Sequence, residues 1–291
     1  MTFVITGSTG SYGHHVVETL LKRGVAAGDI VATGRDLARV ADLADRGVQT
    51  RRADYEDGES LRAAFDGADV VLLVSGTELG RRAAQHRTAV EAAQQAGVGL
   101  LAYTSLANCD RSGMRIAHDH RDTERALAES GLPHVLLRNG WYMENYTSQL
   151  GSFVLAGSVV GCAGEGRVSA ATRDDLAEAA AAVLLADGQA GMRYELGGDE
   201  AFTLTELAAA VTEATGQPVA YHDESPEEYT QTLVRAGLPR PYAESVADAD
   251  LGIDRGDLLV TSGDLSRLLG RPTTAMPAAV RDAARSLTAQ D

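Results

Sequence analysis

The sequence predicts an α/β protein, a doubly wound parallel sheet with a smaller, mostly helical C-terminal lobe, on three observations. Strand-like and helix-like runs alternate through the first half of the chain. A glycine-rich turn, Ile5-Thr6-Gly7-Ser8-Thr9-Gly10-Ser11-Tyr12-Gly13, joins the first strand to the first helix, with its glycines three residues apart. After Asn139 the alternation stops and the remaining elements are local and mostly helical.

Phe3, Val4 and Ile5 suit a buried strand, and Val16, Val17, Leu20 and Leu21 recur at helical spacing behind the glycines. Residues 30–33 read as a second strand, 37–46 as a helix closed by Gly47, 48–53 as a third strand and 60–65 as a short helix ended by Gly67. The apolar run at 70–74 suits a central strand, and a long helix over about 80–96 stops at Gly97. Residues 100–105 give a fifth strand, 117–129 a helix and 135–138 a sixth strand, which completes a Rossmann-type unit. The segment from Gly140 to Tyr146 and the glycine-rich stretch 151–166 read as pocket-lining loop. An Ala/Leu helix over 174–186 is assigned to the sheet-covering layer. Helices over 205–215, 226–236, 242–249 and 277–287, with short strands at 194–196 and 219–222, form a lobe expected to close over the mouth of the sheet. The expected division is a nucleotide-binding domain over residues 1–150, with the helix at 174–187 packed on it, and a substrate-covering lobe over 151–291.

With 291 residues, 44% of them hydrophobic and 23% charged, the chain can bury one large core and a smaller appended one. No apolar run approaches the roughly 20 residues of a membrane span. Met1 leads straight into the first strand without a basic, cleavable leader, which points to the cytoplasm. Cys109 and Cys162 lie far apart and outside any Cys-x-x-Cys pair, so neither a disulfide framework nor a metal site is expected. A net charge of −15 repels nucleic-acid phosphates, and Arg51-Arg52 and Arg81-Arg82 are too short for a binding patch and read as solvated faces. Oligomeric state stays open, a homodimer included.

A glycine turn between strand and helix lets a diphosphate approach backbone N–H groups at the positive end of the helix, which makes Gly7, Ser8, Thr9, Gly10, Ser11, Tyr12 and Gly13 the candidate cofactor-binding turn. At the end of the second strand, where an acidic residue would bind the ribose of NAD, stands Thr33-Gly34-Arg35; a guanidinium and no carboxylate favour NADP(H). Asp54 after the third strand suits either the adenine amino group or a helix N-cap. Ser75, Gly76 and Thr77 end the fourth strand and Thr104 and Ser105 the fifth, on the carboxyl edge where the nicotinamide half of a dinucleotide rests. Asn139 and Gly140 complete the rim, and Trp141, Tyr142 and Tyr146 offer flat apolar surface to a planar ligand or to lobe packing. None of the nine tyrosines is followed four residues later by lysine, and Lys22 is the single lysine, so the usual Tyr-x-x-x-Lys proton donor is missing. Ala117-His118-Asp119-His120 is the remaining titratable cluster; histidines two apart do not share a helical face, which argues against a metal site.

These residues resemble the NmrA-like atypical short-chain dehydrogenases, and within them the type 2 NAD(P)H:quinone oxidoreductases. The likeness rests on the turn Gly7 to Gly13, on Ala53-Asp54-Tyr55, on Ala102-Tyr103-Thr104-Ser105-Leu106 and, most specifically, on Leu136-Leu137-Arg138-Asn139-Gly140-Trp141-Tyr142-Met143-Glu144-Asn145-Tyr146. Ser169 to Arg173 and Leu268 to Thr274 extend it into the later lobe. The resemblance implies that His120 occupies the helix position of the active-site lysine in related reductases, and that Asn139 and Tyr142 face nicotinamide and substrate. His118 departs from the quinone-reductase pattern and looks more like the triphenylmethane-dye reductases. A flavin-independent NADPH reductase of quinones or similar planar acceptors is the expected function. Hydride delivery to a quinone leaves a phenolate-like anion with a conjugate acid near about 10, whereas a simple ketone gives an alkoxide near roughly 15.7 that needs a positioned acid. An NADP(H)-sensing regulator without turnover and a ketoreductase of secondary metabolism are the alternatives.

Overall fold

A computed structural model describes residues 1–288; the last three residues of the expected lobe, 289–291, lie outside the described residues. The chain forms two compact units, each assembled from three segments. The first unit takes Met1–Leu106, Asp119–Asn139 and Arg173–Tyr194; the second takes Ala107–His118, Gly140–Thr172 and the chain from Glu195 onward.

The first unit is organised on β1 (Phe3–Ile5), β2 (Ile30–Gly34), β3 (Gln49–Arg52), β4 (Val70–Leu73), β5 (Leu100–Leu106) and β6 (His134–Asn139). Each neighbouring pair is parallel, in the order β3-β2-β1-β4-β5-β6, and β8 (Arg193–Leu196) extends the sheet beyond β6. The order reverses between β1 and β4, which is where ligands sit in open parallel sheets. β1, β2 and β4 are buried along their whole length because helices cover both faces, and Val4, Val31, Val71, Leu73, Leu101 and Phe65 pack into one cluster. Full burial of such side chains contributes roughly 1.5–3 kcal/mol each, so the strand ends that carry the rim stand on the most stable part of the unit.

The helices are α1 (Ser11–Lys22), α2 (Ala41–Asp45), α3 (Gly58–Phe65), α4 (Arg82–Ala96), α5 (Arg115–Ser130) and α8 (Arg173–Leu185). Tyr12 Oη donates to Leu176 O at 3.3 Å and ties α1 to α8, whose buried face is largely alanine and permits close packing. The helix expected over 37–46 is a 3₁₀ turn, Leu37–Val40, followed by α2. The Asp36 carboxylate accepts from Ala38 N and tightens the first turn, and Val40 at φ −125° interrupts the helical run. α4 begins at Arg82 and not at residue 80, because Gly80 sits at φ +75° where a right-handed helix cannot start.

The second unit contains a two-stranded parallel sheet of β7 (Ser158–Gly161) and β9 (Ala220–Asp223). Its helices are α6 (Glu144–Thr147), α7 (Leu150–Ala156), α9 (Leu204–Thr215), α10 (Pro226–Arg235), α11 (Arg240–Asp254), α12 (Asp264–Leu269) and α13 (Met276–Thr288). The expected loop at 151–166 is largely regular: α7 buries Leu150 and Phe153, Gly157 caps it at φ +65°, and β7 follows with alternating burial. α11 extends beyond the expected residues 242–249 and runs through Gly252, where a Cβ would lie 2.4 Å from Met114 Sδ and force that side chain to move.

After β7, three successive N–H groups are held by side chains: Cys162 N by Asp250 Oδ2 at 2.9 Å, Ala163 N by Tyr221 Oη at 3.0 Å and Gly164 N by Asp223 Oδ1 at 2.9 Å. Burial pushes Asp250 up to about 7, the Cys162 hydrogen bond opposes this and the Asp223 charge adds to it. The folded state therefore holds this proton more tightly than the unfolded chain. The associated stability is present at low pH and is lost as pH rises through 7. Asp250→Asn keeps an acceptor for Cys162 N but cannot ionise. Its melting temperature is expected to gain on the wild type between pH 5 and pH 8.5, and parallel melting curves at the two pH values would remove this account of Asp250.

Candidate functional site at the carboxyl edge of the sheet

Behind β1 the chain turns at Gly7, φ +61°, and Gly10 N donates to Gly7 O at 2.9 Å. A Cβ on Gly13 would lie 2.6 Å from Gly7 O, so α1 approaches the strand as closely as only glycine allows. Gly10 is the N-cap of α1 and has no side chain to satisfy the first-turn N–H groups. Anion chemistry is thereby left to whatever binds there. Ser11 is exposed and Thr9 half-buried, while Ser8 is fully buried with Oγ donating to Ile5 O at 2.8 Å. Ser8 thus holds the turn through its side chain and Tyr12 ties α1 to α8, which leaves their backbone to meet a ligand.

Thr6 binds the turn to β4. Its hydroxyl donates to Leu72 O at 3.0 Å, accepts from Val74 N at 2.9 Å and lies 2.6 Å from Tyr55 Oη, which in turn donates to Val74 O. Burial pushes the Tyr55 phenol upward. Beyond β4, Ser75 N donates to Thr104 Oγ1 at 2.8 Å and Gly76 N to His86 Nε2 at 2.9 Å, while Thr77 is exposed. Thr104 therefore uses its oxygen to hold the rim backbone. Ser105 Oγ donates to Glu124 Oε1 at 2.5 Å, and Glu124 forms a buried two-pronged pair with Arg138 at 2.9 and 2.7 Å. The Ser105 hydroxyl proton is thus directed at Glu124.

Asn139, at the end of β6, is 3% exposed and neither its Oδ1 nor its Nδ2 has a hydrogen-bond partner among the described residues. Thr33 Oγ1, at the end of β2, is likewise buried and unpartnered. Arg35 is exposed and pairs with Glu78 at 3.1 Å; a carboxylate thus does stand beside it, brought from the loop after β4. Asp54 Oδ1 accepts from Glu56 N at 3.1 Å, and the N-cap of the following helix is Asp57, not Asp54.

His120 is buried, and its Nδ1 lies 2.7 Å from Tyr103 Oη. Burial, with the Arg82 and His86 charges adding, lowers it well below the ordinary histidine range. His120 is therefore held in its neutral form, which can still hydrogen-bond. His118 is exposed. His86 was not singled out from the sequence, and Arg82 was read there only as part of a solvated face. His86 is fully buried and lowered to about 3 by burial and by Arg82. Arg82, expected on a solvated face, is 4% exposed, donates Nε to Gly76 O at 2.6 Å and pairs with Asp119 at 3.1 Å. Arg51 also leaves solvent, donating to Ala64 O and Asp66 O. Tyr55, His86, Tyr103 and His120 form a row of ring contacts under the rim, with centroids 6.0, 5.3 and 5.9 Å apart.

In the second unit, Gly140 N donates to Leu196 O at 2.6 Å, and a Cβ there would lie 2.9 Å from the same oxygen. Trp141 and Tyr142 are half-buried beside Ala171. Tyr146 is instead interior to the unit: its ring packs edge-on against Phe202 at 5.9 Å and its buried hydroxyl has no hydrogen-bond partner among the described residues. It belongs to lobe packing. A cavity of about 140 Å³ is lined by Ala170, Asp199, Glu200 and Thr273 among others. The ligand atoms of His14, Glu18 and Asp42 lie within 4.8 Å of one another at the surface, where His14 pairs with Asp42 and Glu18 with Arg46. No helix among the described residues is long and apolar enough to cross a membrane.

The sheet order, the glycine turn at an uncapped helix and the ligand-ready edge define a Rossmann-type α/β protein. The chain belongs to the NmrA-like family, whose model matches residues 1–254. It is 44% identical over 276 residues to quinone oxidoreductase 2 of Escherichia coli, covering 95% of this chain and 96% of that one. Among solved structures it matches an NADPH-dependent quinone oxidoreductase of Escherichia coli complexed with NADPH, at 42% identity and TM-score 0.93 over 99% of this chain and 100% of that chain. The triphenylmethane reductase of Citrobacter sp. complexed with NADP(H) matches at 36% identity and TM-score 0.92, covering 97% and 100%.

A buried amide left without partners costs about 1–3 kcal/mol. Asn139→Leu, nearly equal in volume, is therefore expected to raise the stability of the unliganded protein by about 1 kcal/mol in urea denaturation. A loss of stability of that size would mean that Asn139 is satisfied inside the fold.

Proposed function

We propose that this protein is an NADPH-dependent, flavin-independent reductase that passes hydride to a quinone or a similar planar, electron-poor acceptor. The observation that carries the reading is the unsatisfied, buried Asn139 amide at the carboxyl edge of a sheet whose whole chain is so like a quinone oxidoreductase. An amide with both functions open fits a carboxamide ligand such as nicotinamide. When bound, NADPH supplies the hydride. The backbone from Ser8 to Gly13 receives the diphosphate, and Thr33 and Asp54 lie toward the adenosine half. Arg35 would hold the 2′-phosphate in place of Glu78.

Trp141 and Tyr142 offer the acceptor a flat surface, and Tyr142 orients it. The chain supplies position and not protons: His120 and His86 are neutral, and the Tyr55 phenol is pushed away from ionisation. An acceptor whose reduced form is a stable anion, as a quinone's is, suits such a site. The substrates are small molecules, and cytoplasmic residence belongs to the same reading.

Stopped-flow mixing of the flavin-free protein with NADPH and small quinones should show acceptor-dependent loss of NADPH absorbance. Binding of NADPH without oxidation by any quinone or cationic dye would leave a sensor in place of an enzyme. Arg35→Ala should raise KM for NADPH roughly tenfold or more while leaving NADH nearly unchanged. An unaltered NADPH to NADH preference would take the 2′-phosphate away from Arg35.

A further inference from the structure

The segment Val74 to Gly76 gives each of its backbone N–H groups to a side chain, and at Gly76 the carbonyl is held as well. The last two bonds belong to one closed circuit. Gly76 N–H donates to His86 Nε2 at 2.9 Å, His86 Nδ1 meets Thr123 Oγ1 at 2.9 Å, and the Thr123 hydroxyl donates to Asp119 O at 2.9 Å. The Asp119 carboxylate accepts from Arg82 Nη1 at 3.1 Å, and Arg82 Nε returns to Gly76 O at 2.6 Å.

The directions of these bonds are mutually determined. Gly76 N can only donate, so His86 Nε2 carries the lone pair and Nδ1 the proton; Thr123 then accepts from His86 and has its own proton free for Asp119 O. Arg82 and His86 stand four apart on one face of α4, and Asp119 and Thr123 four apart on α5, flanking His120. A guanidinium and an imidazole are thus buried for the sake of the backbone of one residue that has no side chain of its own. Packing alone would fill this volume with apolar groups, since burying a charge is costly without such a task.

We propose that His86 and Arg82 are positioning residues for the cofactor: they fix the Gly76 backbone at the carboxyl end of β4 and thereby set the affinity for NADPH. This rests on the NADPH reading given above. The circuit also includes Asp119 and Thr123 of α5, the turn that carries His120.

The test is NADPH binding by titration calorimetry, with folding checked by circular dichroism, on His86→Leu, His86→Gln and Thr123→Val. His86→Leu should weaken NADPH about tenfold or more, and His86→Gln, which keeps an acceptor near the Nε2 position, should recover most of the loss. Thr123→Val, close in shape, should weaken binding about threefold by releasing the tautomer. ¹⁵N spectra of histidine-labelled wild type should show Nδ1 of His86 protonated and Nε2 not. A folded His86→Leu with NADPH affinity within about twofold of wild type overturns the proposal. A spectrum with Nε2 protonated overturns it too, and together with Thr123→Val decides the matter if His86→Leu does not fold. Failure of the wild type to bind NADPH would end both this inference and the functional reading. Wild-type binding with unchanged variants would end this inference alone.

Discussion

The distance between the Gly7 carbonyl and the position a Cβ would take on Gly13 sets the terms for the rest of the molecule. At 2.6 Å it admits no side chain, so the first helix is drawn onto the end of the first strand with its N-terminus open. Two consequences come from the one constraint. The orphan N–H groups of the first helical turn gather at the switch point of the sheet, where the partial positive charge of the helix favours an anion. The strand end is also brought beside Thr6, whose hydroxyl ties β1 to the backbone of β4. A missing side chain at one position therefore specifies both a binding chemistry and the registration of two strands.

Around that turn the carboxyl edge divides into groups that are satisfied within the protein and groups that are not. Thr104 and Ser105 carry hydroxyls that a sequence reading offers to a ligand, yet each is engaged internally, as are Thr6, Tyr55 and His86. Asn139 and Thr33 remain open although buried. The contrast is informative because an unsatisfied buried amide costs more than a typical hydrogen bond returns, roughly 1–3 against 0.5–1.5 kcal/mol. Asn139 Oδ1 and Nδ2 and Thr33 Oγ1 are three buried atoms whose hydrogen-bonding capacity is unused among the described residues.

The parts of this arrangement that were legible in the sequence are those where the backbone itself constrains the residue. Gly7, Gly10 and Gly13 announce a close approach, and the continuous apolar run at β4 announces a strand covered on both faces. What was not legible depends on tertiary placement. Arg82 looks like half of a solvated arginine pair until Asp119 and Gly76 arrive from distant segments to bury it. His86 stands in a helix of alanine and glutamine with no pattern to mark it, and its neutrality is produced by burial. The resemblance supplied the position of His120 but not its charge, for the same reason. The stretch 151–166 hid α7 and β7 because its glycines cap elements that a composition reading dissolves into loop.

The electrostatics of the buried ring row bear on which reaction the site can serve. Tyr55, His86, Tyr103 and His120 lie in contact beneath the rim, and burial holds the Tyr55 phenol, His86 and His120 in their neutral forms. The Arg82 guanidinium beside the histidines reinforces this, since a second positive charge there would be repelled. Such a row can orient and polarise through hydrogen bonds but holds no proton in excess at neutral pH. An alkoxide, the stronger base, asks more of such a row than an anion whose conjugate acid titrates near about 10 and can find its proton in water. Acceptors that stabilise negative charge themselves ask less of such a row than simple ketones do.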